Sequence, residues 1–192
     1  NQKSAKESYL YKRFKDFNLG NLYSRKDIGK ILRTDRLDSN REGILSIEDN
    51  IILFNTLNKK THQGQITYND YFERELFRWD SQNRQHPETP LIKGIINNKS
   101  KVWLFARINQ KINGKTEPFI FCGQLKYLAY DKKTSKPVHI IYRSLNYNAG
   151  LNRDLYDLYN CIFADWASLI FSFTSNISIL SIFFSIIFAS AF

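Results

Sequence analysis

An α+β fold is predicted for this 192-residue chain: N-terminal helices, then a curved mixed or antiparallel β-sheet or small barrel, then a C-terminal helix. Three observations carry that expectation. Residues 1–42 are polar and basic with helix punctuation. From Gly43 the pattern changes to short runs of Ile, Phe, Tyr, Val and Thr separated by turn residues. Gly123 sits inside the strand pattern Phe119-Ile120-Phe121-Cys122-Gly123-Gln124-Leu125, where a glycine marks a bulge and a sheet that bends.

In chain order, Tyr9, Leu10, Phe14 and Phe17 form one face of a short first helix. Ser24 caps a second, Arg25 to Leu32, with Asp27 three positions on as a weak capping box. Leu22, Ile28, Ile31 and Leu32 are expected to face inward, leaving the basic residues to solvent or to phosphates. Gly43-Ile44-Leu45-Ser46-Ile47 opens the β-rich region. Strands are expected at Ile51 to Leu57, Leu76 to Trp79, Val102 to Ile108, Pro118 to Tyr130 and Val138 to Leu145. Asn113-Gly114 is the turn signal of a hairpin connection, and Tyr130 to Pro137 forms another. Asp70 and Glu73 are spaced to share a helix face. Leu151, Leu155 and Leu158 line one side of a last helix. The organisation expected is a helical lead-in over 1–42, a β-rich domain over 43–160 and an apolar tail over 161–192.

Lys and Arg number 28 against 18 Asp and Glu, for a net charge of +10. A balance of that sign favours a polyanionic partner, nucleic acid or an anionic membrane surface. Cys122 and Cys161 are far apart and outside any C-x-x-C pair, and His62, His86 and His139 are scattered. Neither a disulfide scaffold nor a metal centre is expected, and no cofactor; the composition fits a reducing, cytoplasmic setting. The phosphate-binding G-x-x-x-x-G-K-[ST] loop, G-x-G-x-x-G and a nucleophile elbow are all missing, so no catalytic residue is assigned. The chain starts at Asn1 without Met and is taken as a piece of a longer protein with no visible signal peptide.

Trp166 to Phe192 hold no charged residue, long enough to span a bilayer, yet nine of those positions are Ser, Thr or Asn. A membrane anchor, a buried pair of β segments and out-of-frame translation all fit that composition.

The stretch Trp79-Asp80-Ser81-Gln82-Asn83-Arg84, following Tyr68-Asn69-Asp70-Tyr71-Phe72, puts planar groups beside amide and guanidinium donors. Rings stack on bases, while Gln, Asn and Arg match base edges and phosphates. Tyr71, Trp79 and Phe121 are the candidate rings; Ser81, Gln82 and Asn83 the candidate edge contacts; Arg84 completes the loop, and Arg107 is placed to hold a phosphate or order a loop. The plain alternative makes Phe77 and Trp79 core residues and Ser-Gln-Asn-Arg a polar turn.

Six segments occur in one order: Tyr23-Ser24-Arg25-Lys26-Asp27-Ile28, Tyr68 to Phe72, Phe77-Arg78-Trp79-Asp80-Ser81-Gln82-Asn83, Val102-Trp103-Leu104-Phe105-Ala106-Arg107, Pro118-Phe119-Ile120-Phe121-Cys122-Gly123 and Leu155-Tyr156-Asp157-Leu158. Over roughly residues 9 to 160 the chain resembles the domain of unknown function designated DUF3427. That domain lies at the C-terminus of large bacterial restriction-type proteins, after phospholipase-D-like nuclease and helicase modules. The resemblance implies a PUA/SRA-like fold and the specificity module of modification-dependent restriction. It implies double-stranded DNA as partner, with a modified base, 5-methylcytosine first, flipped into a curved barrel. Helicase and nuclease modules of the same longer chain would supply ATP hydrolysis and cleavage. The tail matches nothing in the family, which favours the frame-error reading.

Two rivals stand beside it. Gln124-Leu125-Lys126, with Asp70 or Asp80 on Mg²⁺, is a weak PD-(D/E)xK nuclease pattern. A basic domain anchored to a membrane through 166–192 is the other, valid if the tail is genuine.

Overall fold

The computed structural model describes residues 9–39, 42–58, 70–134 and 136–161. The tail from 162 onward, and with it the anchor and frame-error readings, lies outside the described residues, as do Tyr68 and Asn69. Among the described residues no helix is long and apolar enough to cross a membrane.

Helix α1 (Tyr9–Arg13) runs into a 3₁₀ turn (Phe14–Asp16); β1 (Leu22–Tyr23), α2 (Arg25–Leu32) and α3 (Arg36–Ser39) follow. The capping box at α2 is complete. Ser24 Oγ accepts from the Asp27 N–H at 3.2 Å, and Asp27 Oδ2 accepts from the Ser24 N–H at 3.0 Å and from its hydroxyl at 2.6 Å. That hydroxyl, and then the backbone N–H, hold the Asp27 carboxyl below its ordinary range. Arg33 ends the helix in the left-handed conformation at φ 54°.

The main sheet runs in the order β2-β3-β6-β9-β10-β5-β4, with β1 beside β9. Its strands are β2 (Ile44–Ile47), β3 (Asn50–Thr56), β4 (Tyr71–Glu73), β5 (Leu76–Asp80), β6 (Lys101–Arg107), β9 (Phe119–Tyr130) and β10 (His139–Ser144). Strands β3 and β6 pair in parallel, from Asn50 opposite Lys101 to Thr56 opposite Arg107. Their uninterrupted apolar runs follow from being covered on both faces.

Strand β9 carries two bulges. Leu104 faces Gly123 and Phe105 faces Phe121, which leaves Cys122 unpaired. Between Ile141 and Tyr142 the partner moves from Ala129 to Tyr127, which leaves Leu128 unpaired. Gly123 stands at φ 83°, a conformation a Cβ strains. The bend expected from that glycine is therefore present, but the sheet is open: the small-barrel form is corrected to a bent sheet whose edge strands, β2 and β4, do not pair with each other.

Each face has its own apolar cluster. On one, Leu10, Phe14, Phe17, Ile28, Leu32 and Leu37 cover Ile52, Phe54, Trp103, Phe105, Phe119 and Phe121. The Phe14 ring stacks on Trp103 at 4.2 Å between centroids. On the concave face, Ile51, Leu53, Val102, Leu104 and Cys122 meet Phe77, Trp79 and Tyr142, together with helices α4 (Pro90–Ile96) and α5 (Arg153–Tyr159).

Two local expectations are corrected, and one helix lies outside the expected elements. Residues 71–73 form a strand, so Asp70 and Glu73 share no helix face. Leu22 is 52% exposed, because it lies on the short edge strand β1 and not on the helix. Helix α4 was not foreseen: Pro90 opens it and Gly94 interrupts its apolar pattern.

Candidate nucleic-acid interface

Alternation along β5 decides the fate of the motif. Phe77 and Trp79 point inward; Arg78 and Asp80 point outward. Trp79 is 5% exposed and packs near Tyr142, 6.3 Å between ring centroids. Phe121 is buried under the lead-in, 5.2 Å from Phe17 and 5.0 Å from Phe105. Neither is a ring on which an entering base stacks from solvent, and both are corrected to core residues. Ser81 is buried as well. Its Oγ accepts from the Val138 N–H at 2.8 Å and donates to the Gln82 carbonyl at 3.3 Å, so it closes the turn after β5. Gln85, buried, accepts from the Gln82 N–H through Oε1 at 3.3 Å and from this side fixes the same turn.

The remaining candidates are accessible. Tyr71 is half-buried on the outer side of β4, with the Arg78 guanidinium 5.8 Å from its ring centre. Gln82 is half-buried and Asn83 and Arg84 are exposed. Arg84 donates from Nε to Gln82 Oε1 at 2.9 Å and from Nη2 to both carboxylate oxygens of Glu42, at 2.8 and 2.9 Å. Arg107 is committed elsewhere. It donates to Thr56 Oγ1 at 3.0 Å and to the Glu117 carbonyl at 2.6 Å, and lies 4.2 Å over Phe119. It orders a loop. Its partial burial, which penalises the charged form, lowers its pKa from the ordinary guanidinium value.

The structure brings together residues that the motif did not contain. On the concave face Asn55 of β3 donates from Nδ2 to Asp70 Oδ2 at 2.8 Å, and Asp70 Oδ1 accepts from the Asp80 N–H at 2.7 Å. Asn55 and Asp70 are 3% and 1% exposed. This bond joins the end of β3 to the residue before the edge strand β4, two strands that share no backbone pairing. Asn55 Oδ1 is buried without a hydrogen-bond partner, although a buried acceptor ordinarily has one. Across the outer side of the same turn, His139 Nδ1 contacts Asp80 Oδ1, from paired positions on β10 and β5. The signal for Asn55 was present in the sequence: it is the lone amide in Ile51-Ile52-Leu53-Phe54-Asn55, where both faces are apolar.

The nuclease pattern does not assemble. Lys126 pairs with Arg143 at one end of β10, while Asp80 pairs with His139 at the other. Four residues of extended chain place them about 13 Å apart along the strand. Among the described residues no three His, Cys, Asp or Glu side chains group to hold a metal ion.

An open mixed sheet with helices on both faces and a buried polar pair between β3 and the residue before β4 defines an α+β module. The family model described as domain of unknown function (DUF3427) matches residues 17–159, and the chain belongs to that family. Among solved structures, the chain is similar to the SUVH5 SRA domain in complex with hemi-methylated CG DNA, at 16% identity and TM-score 0.44, covering 67% of this chain and 89% of that one. It is similar to the MspJI restriction endonuclease in complex with a 27-mer oligonucleotide, at 13% identity and TM-score 0.35, over 54% of this chain and 32% of that one. The DNA recognition domain of the cytosine modification-dependent restriction endonuclease LpnPI matches at 10% identity and TM-score 0.34, over 76% and 88%. Comparison with curated proteins returns no match.

Proposed function

We propose that this domain is the DNA-binding specificity module of a modification-dependent restriction system, reading a modified cytosine flipped out of the duplex. The observation that carries the reading is the Asn55–Asp70 pair. A buried amide oxygen without a donor, next to a buried carboxylate, is the complement of an amino group. Cytosine presents that donor at N4, and a side-chain acceptor there discriminates against thymine. The apolar concave wall beside the pair, with Phe72, Phe77 and Trp79, suits a 5-methyl group. Trp79 then acts as wall, while Tyr71, Gln82, Asn83 and Arg84 form the accessible rim. Lys26, Lys30 and Arg33 are exposed on α2 and at its end, and offer phosphate contacts that carry affinity without sequence information. Helicase and nuclease modules on the same longer chain would act on the DNA so marked, in a cytoplasmic setting.

Fluorescence anisotropy on matched duplexes with 5-methylcytosine or cytosine, over a salt series, tests this. The expected result is preference for the methylated duplex and a log–log salt slope of several units. Asn55→Leu abolishes the preference and keeps the slope, since the phosphate contacts remain. Equal affinity for both duplexes at every salt concentration overturns the modified-base reading, and loss of all binding overturns DNA recognition itself.

A further inference from the structure

Between β6 and β9 the chain makes a separate two-stranded ribbon, β7 (Lys111–Ile112) and β8 (Lys115–Thr116). Its turn is Asn113-Gly114, with φ 50° and 79°, the positive pair that a tight hairpin needs. Every residue from Gln110 to Thr116 is exposed, and a Cβ built on Gly114 meets nothing within 4 Å. The ribbon therefore stands off the body. Beside the Asn113-Gly114 tip stands Ile112, 47% exposed, next to Lys111 along the strand and opposite Lys115 across the ribbon, and no acidic residue lies from Asn109 to Thr116. An apolar side chain there contributes nothing to the core.

Its stem, by contrast, is firmly held. The Glu117 N–H donates to the Gln110 carbonyl at 3.0 Å, and Arg107 ties the Glu117 carbonyl to Thr56. Asn58 donates from its backbone to the Ile108 carbonyl at 2.8 Å and from its side chain to Asn109 Oδ1 at 2.9 Å. Thr56 is the neighbour of Asn55, and Asn55 is paired with Ala106. The ribbon thus springs from the end of the sheet at which Asn55 and Asp70 meet.

We infer that this ribbon is a wedge that enters the duplex, with Ile112 filling the space left by the extruded base and Lys111 and Lys115 holding the flanking phosphates. The inference rests on the DNA-reading proposal above and names the part that opens the stack. The major groove admits a two-stranded ribbon, and aliphatic side chains are the usual wedges between base steps. Two cations beside one exposed apolar side chain on an otherwise uncharged hairpin match a phosphate–base–phosphate surface; a rigid stem lets the ribbon push without yielding.

The test uses the full chain and a 5-methylcytosine duplex with 2-aminopurine next to the modified base, whose fluorescence rises when its neighbour leaves the stack. Ile112 is exposed, so Ile112→Ala leaves folding intact. The expected result is a rise with wild type and, with Ile112→Ala, a loss of that rise with about tenfold weaker binding. On a duplex with the modified base opposite an abasic site, already unstacked, the two proteins bind equally. Replacing Lys111 and Lys115 by Ala lowers the salt slope by about two. An unchanged rise with Ile112→Ala overturns the wedge and leaves the reading standing. No rise and no methyl preference with wild type overturns both.

Discussion

The side-chain bond between Asn55 and Asp70 yields a sharp energetic prediction. Asp70→Ala removes an acceptor from two donors, the buried Asn55 amide and the half-buried Asp80 N–H. Hydrogen bonds to a charged group contribute about 1.5–3 kcal/mol each, and a stranded buried donor adds its desolvation cost, so the loss is about 3–5 kcal/mol. Asn55→Ala removes one of those bonds and also the unpartnered Oδ1, so its cost is smaller, about 2 kcal/mol. In the double variant the Asn55–Asp70 bond is lost once only. The two costs therefore fall short of additivity by about 1.5–2 kcal/mol. Urea denaturation followed by circular dichroism, without DNA, measures all four proteins. The midpoints shift and the slopes stay equal, because the surface exposed on unfolding is the same. In thermal melts Asp70→Ala falls by roughly 10 °C at the 2–4 °C per kcal/mol usual for a chain of this size. A coupling below about 0.5 kcal/mol would show that the two side chains do not support each other.

Other perturbations follow from the same coordinates. Ser24→Ala removes the Oγ half of the capping box and the hydroxyl bond to Asp27, keeps the backbone half, and costs about 1 kcal/mol at neutral pH in a denaturant midpoint. Because the folded-state pKa of Asp27 is depressed, the contribution of its carboxylate is present above the unfolded value of 3.8 and is lost as pH falls through the folded value; the difference from wild type shrinks in acid. Gly123→Ala costs about 2 kcal/mol or more by urea titration, since φ is 83° and the methyl would lie 2.7 Å from Cβ and Cγ of Asn146 and closer still to its Oδ1, which is itself bonded to the Gln124 N–H. Burial pushes the Cys122 thiol far up, so at pH 8 iodoacetamide reaches it only as fast as the protein unfolds, whereas half-buried Cys161 is alkylated first; peptide mass spectrometry separates the two. Arg84→Ala lowers the DNA salt slope by about one, while Glu42→Gln, which releases Arg84 from its ion pair, strengthens binding at low salt.

The strands were legible because β-branched and aromatic runs bounded by turn residues have few other uses, and the bulge because a glycine breaks one of those runs. Helix α2 was legible from Ser24 and Asp27, whose hydrogen bonds are local. What stayed hidden depends on long-range geometry. The bend of the sheet brings Asn55 to Asp70 across 15 positions of sequence, and no periodicity encodes that contact. Trp79 illustrates the complement. An aromatic in a strand faces one side or the other, and only the pairing of β5 with β10 makes its side the interior. Tyr71-Phe72-Glu73 is too short to set a period, so strand and helix were equally open there. The accessibility of Gln82, Asn83 and Arg84 is legible because loops expose polar side chains; the amide inside the apolar strand is hidden among neighbours that speak for core.

The stacking of the first three helices on the sheet has a practical corollary. A cut before Gly43, where composition changes most abruptly, would strip cover from Ile52, Phe54, Trp103, Phe105, Phe119 and Phe121 at a stroke. The remnant would carry a wide oily surface and precipitate instead of folding. Any transplant of this domain onto another host must therefore take the basic leader along with the strands, and the latest safe junction lies upstream of Tyr9.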